Sequence, residues 1–258
     1  MMGFRVLLAK ELREQLRTGR LIAVAAVFVL FGILGPLTDR YMKNIIEFVG
    51  SQGGAGGMQI TVPDPSLKGS LAQIGKNLSQ FGYICAILLA MGSVAWEKER
   101  GTAAMIMTKP ASRAAFLTAK LVAIAFNLAI ATALGTGLGY LYTTLLYPTT
   151  FPLGGYAAMA ATLWWTSVIF AAITLLASTL TRSAIAAAGI GLVMFLVLGI
   201  VVAIEPLAIW SPLGLVPEIS KLAISEPTSN FALPLAFNLA LVPALLVLAW
   251  VDFRRQEL

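Results

Sequence analysis

The chain has no histidine among its 258 residues and a single cysteine, Cys85. Without an imidazole there is no haem ligation through His, no HExxH zinc site and no Ser–His dyad, so Ser167 and Ser178 have no base to activate them. One cysteine inside an apolar run closes no intramolecular disulfide. Charge is scarce as well. Asp, Glu, Lys and Arg make up 12% of the sequence, about half the share usual in a soluble domain. Asp39, Asp64 and Asp252 all fall outside the apolar runs, which argues against an intramembrane aspartyl protease and against a proton-relay carrier. A nucleotide-binding G-x-x-x-x-G-K-[ST] string is missing too. The nearest candidate, Gly69 to Lys76, has one residue too many between its glycines and no Ser or Thr after Lys76.

What the chain has instead is apolar side chains, 59% of the total. They fall into six runs long enough to cross a hydrocarbon layer about 30 Å thick as helices: Leu21 to Leu37, Leu78 to Trp96, Ala115 to Leu146, Tyr156 to Leu180, Ala184 to Ile204 and Phe231 to Val251. The third and fourth are parted by "YPTTFPLGGY", where Pro148, Pro152 and paired glycines mark a turn. The expected fold is an all-α, six-span membrane protein forming a single domain over 1–258. Residues 38–77 and 205–230 form polar segments on one side, the second with short helices at the membrane surface. Pro234 and Pro243 are placed to bend the last span.

Thirteen of the 18 basic residues fall on one side of this arrangement. They sit before the first span, between the second and third, at Arg182, and at Arg254 and Arg255. The positive-inside rule then puts both termini in the cytosol of a multi-pass cell-membrane protein. Basic and aromatic residues do not interleave on a polar surface, so no nucleic-acid partner is expected. No signal peptide is expected either, since the stretch before Leu21 is long and carries Glu11 and Glu14. Trp96 and Trp250 stand where interfacial anchors belong. Gly135, Gly137, Gly139, Gly189 and Gly191 would let helices approach closely. Asn127, Thr132, Thr136 and Asn238 are candidates for a translocation path, although interhelical hydrogen bonding is the commoner use of such groups.

Two segments at the basic end hold most of the chemistry. The first is the N-terminal helix, residues 1–20, with Phe4, Leu7, Leu8, Leu12 and Leu16 on one face and Lys10, Arg13 and Arg17 on another, as in a helix lying flat at the interface. Glu11 and Gln15 break that pattern by facing the apolar side. Glu11 is expected to reach a cation or helix cap in the second loop, with Lys98, Arg100 and Arg113 as candidates. The second segment, 97–113, reads "EKERGTAAMIMTKPASR". Glu97, Glu99 and Arg100 should prolong the second span into water, Gly101 should end it in a left-handed conformation, and Thr102 should start a short helix offering Met105, Ile106 and Met107. Lys109 and Pro110 should end that helix, and Ser112 should cap the third span ahead of Arg113. Local chemistry leaves two readings: a rigid bar that docks on another protein, or a loop charged only for topology.

The string Glu99, Gly101, Thr102, Lys109-Pro110, Ser112-Arg113 and Lys120 resembles the "E-x-G-T…P-x-S-R…K" segment between the second and third spans of ABC transporter permeases of the type-2 exporter family. "KELREQLRTGR" resembles that family's elbow helix, and "FRRQEL" its basic tail. The resemblance implies a permease subunit with no enzymatic site of its own. It would pair with a second permease copy in membrane lipid and with cytosolic ABC ATPase subunits that bind ATP and Mg. Residues 97–113 would be the coupling helix and its flanks, and transport would run outward. A secondary carrier or a membrane scaffold without an ATPase is the alternative.

Overall fold

The computed structural model describes residues 2–51, 64–102, 112–147, 152–228 and 231–256. Among them the regular structure is helical. In chain order it comprises α1 (Met2–Arg17), α2 (Arg20–Ser51), α3 (Leu67–Ala90), α4 (Ala95–Glu99), α5 (Arg113–Leu146), α6 (Leu153–Leu180), α7 (Ala184–Val202), α8 (Glu205–Ala208), a 3-10 turn (Pro212–Leu215), α9 (Val216–Ala223) and α10 (Ala232–Arg255). Six helices are long and apolar enough to cross a membrane, and they match the six runs in the sequence. Helices with apolar side chains all round suit hydrocarbon because every interior backbone group bonds within its own segment.

The ends of the spans differ from the hydropathy reading. Helix α2 runs through Pro36 to Ser51, and α3 starts at Leu67, capped by Ser66, whose Oγ accepts from the Gly69 amide at 3.0 Å. Much of the polar stretch 38–77 is therefore helix projecting beyond the apolar run. Propagating a formed helix by one residue costs little, so loss of hydrophobicity does not end one. Asp39 ties the two projections together: its carboxylate accepts from the Ser66 amide and the Tyr147 hydroxyl. The short helices between α7 and α10 occur as the prolines foretold, burying Leu213, Leu215 and Ile219.

Helix α6 sits at the centre and touches α3, α5, α7, α9 and α10. Several of its buried hydroxyls find partners within the helix. Thr166, Ser167 and Thr174 donate to the carbonyls of Thr162, Leu163 and Phe170, one turn back. Helices α2 and α5 approach closely, and glycine is required there: a β-carbon on Gly135 would stand 2.6 Å from the Phe28 carbonyl oxygen, and one on Gly32 would strike the Gly135 carbonyl. Gly137, by contrast, faces open space.

Replacing Gly135 with Leu should therefore push α2 off α5. The expected loss is about 1–3 kcal/mol, seen as a lower melting temperature in detergent. Gly137→Leu on the same helix should leave that temperature within experimental scatter.

Candidate functional site

The second span does not run unbroken into segment 97–113, as its sequence implied. Helix α3 stops at Ala90, residues Met91 to Val94 form a turn, and α4 begins at Ala95. One side chain from α6 satisfies the break. Ser178 Oγ accepts from the Val94 and Ala95 amides at 3.1 and 2.9 Å and donates to the Met91 carbonyl at 2.9 Å. Gly101 then adopts φ +69°, the left-handed region open to glycine, and ends α4 as expected. The Thr102 hydroxyl donates to the Glu97 carbonyl at 3.2 Å. Met105, Ile106, Met107, Lys109 and Pro110 lie outside the described residues. Beyond them Ser112 caps α5 as foreseen, accepting from the Ala115 amide at 3.1 Å.

The root of the segment is held by a closed square of charge. Glu11 Oε1 lies 3.0 Å from both Lys10 Nζ and Lys120 Nζ; Glu97 Oε1 lies 2.8 Å from Lys10 Nζ and 3.0 Å from Lys120 Nζ. Each anion thus touches both cations. Lys120 is the most enclosed of the four, its side chain only 3% exposed, with its ammonium also 4.8 Å from the centre of the Phe116 ring. Three elements meet there: α1 brings Lys10 and Glu11, α4 brings Glu97 and α5 brings Lys120. Gly19, at φ +70°, makes the turn between α1 and α2 that lays α1 against α5.

Burial by itself would push the Glu11 carboxyl up, but Lys120 and Lys10 outweigh it and hold it below the ordinary carboxylate value. Burial would likewise lower the Lys10 ammonium, yet its hydrogen bond to Glu97 and the charge of Glu11 raise it. Because Glu11 is depressed in the folded chain, its share of stability is fully present above the ordinary carboxylate range. It is lost only as pH falls through the lowered folded value.

Glu11 thus reaches a cation of the second loop and the third span's first turns, but the cation is Lys120, not Lys98, Arg100 or Arg113. Lys98 donates to the Thr179 and Thr181 carbonyls at the end of α6. Arg113 donates to the Phe253 and Arg254 carbonyls at the end of α10, at 2.6 and 2.8 Å. Glu99 and Arg100 are exposed. Between α1, α3, α4 and α5 lies a cavity of about 660 Å³ bordered by the charge square together with Arg20, Trp96, Arg100 and Thr102.

Gln15 is buried, as its position on the apolar face implied, and its Oε1 accepts from Asn127 Nδ2 at 2.6 Å, which fastens α1 to α5 a second time. Thr136 donates to the Thr132 carbonyl at 2.7 Å, and Asn238 Nδ2 to the Pro234 carbonyl at 2.7 Å. Thr132 is itself buried on α5. Sequence reasoning missed Ser178 as the staple of the α3–α4 break and Gln256 as a bridge between helix ends. Ser178 carried no signal beyond being polar in an apolar run, whereas Gln256 stood in the basic tail.

Removing Lys120 strands two carboxylates on one lysine. Lys120→Met should cost about 3–5 kcal/mol, the range for breaking a buried pair. Adding Glu11→Gln restores one charge of each sign, so the double variant should melt closer to the wild type than the sum of the single losses allows. Additive losses would show that the four groups do not act together.

Residues 5–258, nearly the whole chain, match the family described as "ABC-2 family transporter protein". The chain is also 31% identical, over a 261-residue alignment covering 97% of each protein, to a protein of Bacillus subtilis (strain 168) described as "Uncharacterized transmembrane protein YxlG". With six apolar helices and a match from end to end, the chain belongs to the ABC-2 family of transporter proteins.

Proposed function

We propose that this permease is the membrane-spanning half of an ATP-driven exporter, with both termini in the cytosol of a cell-membrane complex. It works beside a second permease copy and cytosolic ATPase subunits that bind ATP and Mg. The observation that carries the reading is the charge square at the root of segment 97–113. Glu97 is fixed by Lys10 and Lys120 to α1 and α5, so force applied to the segment meets a braced support and not a loose loop. A loop charged only for topology has no need of a lysine 3% exposed between two carboxylates. The cavity beside the square, with exposed Arg100 at its rim, offers a docking surface for an ATPase. Helix α7 is apolar on every side, with Ala184, Ala187 and Gly191 its buried residues, which leaves a broad face for the second copy or lipid. The distribution of basic residues supports the orientation.

Replacing Met105, Ile106 and Met107 together with Asp should abolish co-purification of the cognate ATPase from the native host while the permease still inserts. Unchanged recovery of the ATPase would refute docking at this segment. In a Cys85→Ala background, single cysteines at Asp64 and Ser183 should react with a membrane-impermeant maleimide from outside and from inside respectively; the reverse pattern would overturn the orientation.

A further inference from the structure

The contacts around segment 97–113 form a second ring, separate from the charge square. On one side Ser178 holds the Met91–Val94 turn and the first amide of α4, and Lys98 donates to Thr179 and Thr181. Helix α4 and the turn before it thus share five hydrogen bonds with the C-terminal end of α6 and its cap, Thr181. On the other side one terminal nitrogen of Arg113 reaches the carbonyls of Phe253, Arg254 and Gln256 at 2.6, 2.8 and 3.3 Å. Gln256 closes the ring. Its amide donates to the Thr179 carbonyl at 2.9 Å, an acceptor it shares with Lys98, and to Asp252 at 2.7 Å. The two ends of the segment thus clasp the C-terminal ends of α6 and α10, and those helices are joined to each other through Gln256.

The last carbonyls of a helix have no intrahelical donors and carry the negative end of its dipole, which makes them natural seats for Lys98 and Arg113. Capping alone would not place both cations on the two flanks of one segment, nor interrupt α3 immediately before it. The interruption matters mechanically. A continuous helix from Leu67 to Arg100 would pass a push at Glu97 straight along the second span. A four-residue turn, with α4 bonded to the end of α6 through Ser178 and Lys98, gives the push a route to α6 instead.

We infer that a stroke entering segment 97–113 is delivered to the cytosolic ends of α6 and α10, the fourth and sixth spans. Ser178, Lys98, Arg113 and Gln256 are the positioning residues, and the Met91–Val94 turn is the joint that releases the stroke from the second span. This rests on the proposed function, since it presumes an ATPase that supplies the stroke.

The test uses the permease in nanodiscs with the ATPase that co-purifies with it, studied by hydrogen–deuterium exchange with and without ATP and vanadate. In the wild type, nucleotide should change exchange in peptides covering 174–183 and 248–256 and leave 80–90 of α3 little altered. In Ser178→Ala and in Gln256→Ala the ATPase should still co-purify and hydrolyse ATP, but the nucleotide-dependent change at the two helix ends should be lost. Ser178→Thr, which keeps the hydroxyl, should retain it. A cap that served stability alone would alter basal exchange and leave the response to nucleotide intact. A wild-type response confined to α3, or a full response in both alanine variants, overturns this inference and leaves the proposed function standing. Absence of any co-purifying ATPase overturns both.

Discussion

A full positive charge at 3% exposure is the demand around which the basic end of this protein is built. An isolated ammonium buried that deeply costs several kcal/mol, so the place of Lys120 calls for opposite charge beside it. Glu11 and Glu97 provide the charge, and Lys10 balances the second carboxylate. None of the four works without the others, and they come from three elements far apart in sequence. Satisfying one lysine therefore ties α1 and α4 to the first turns of α5. A square of this kind contributes little net stability compared with an apolar equivalent, but it specifies one arrangement, since any other leaves a charge unpaired.

The rest of the bundle follows the opposite policy. Inside the spans many polar groups are kept local: Thr136, Thr166 and Thr174 bond carbonyls one turn back, and Asn238 does the same to Pro234. Lipid gives helices no hydrophobic reason to associate, so contact is won by shape. Gly32 and Gly135 let two backbones touch, and Gly191 admits Thr174 and Ile87 on either side. Polar strength is thus concentrated at the ends of the spans, where Lys98 and Arg113 seat on the C-termini of α6 and α10 and Asp39 holds the opposite end. The body is packed by complementarity and governed from its rims.

Six apolar helices, the helical N-terminus α1 and the short helices before α10 were legible because apolar length, face periodicity and proline spacing are local properties. Glu11 was legible as an anomaly, a carboxylate on an apolar face, but its partner was not. Lys98, Arg100, Arg113 and Lys120 are equivalent by charge, and only the packing of α1 on α5 decides among them. The break in α3 was hidden for a related reason: Met91, Gly92 and Ser93 contain nothing incompatible with a helix. What ends α3 is Ser178, eighty-odd residues away, offering its hydroxyl to the amides that the break exposes. Span ends were misplaced where hydropathy falls but helical hydrogen bonding goes on, at both edges of 38–77.

A handle is useful only if it is stiff towards its load and compliant elsewhere. Segment 97–113 has both properties by construction. Glu97 in the charge square and Arg113 on the α10 carbonyls prevent its two roots from shearing apart, while the Met91–Val94 turn removes the one continuous helix that would otherwise bind it to the second span. The stiff contacts are ionic or charge-assisted, stronger than neutral hydrogen bonds, whereas the joint is held by neutral bonds, those of the Ser178 hydroxyl and of the turn's own backbone. In any displacement the weaker set yields first. The turn can therefore flex relative to α3 while Lys98 keeps α4 on the α6 carbonyls and Arg113 keeps the far root on those of α10.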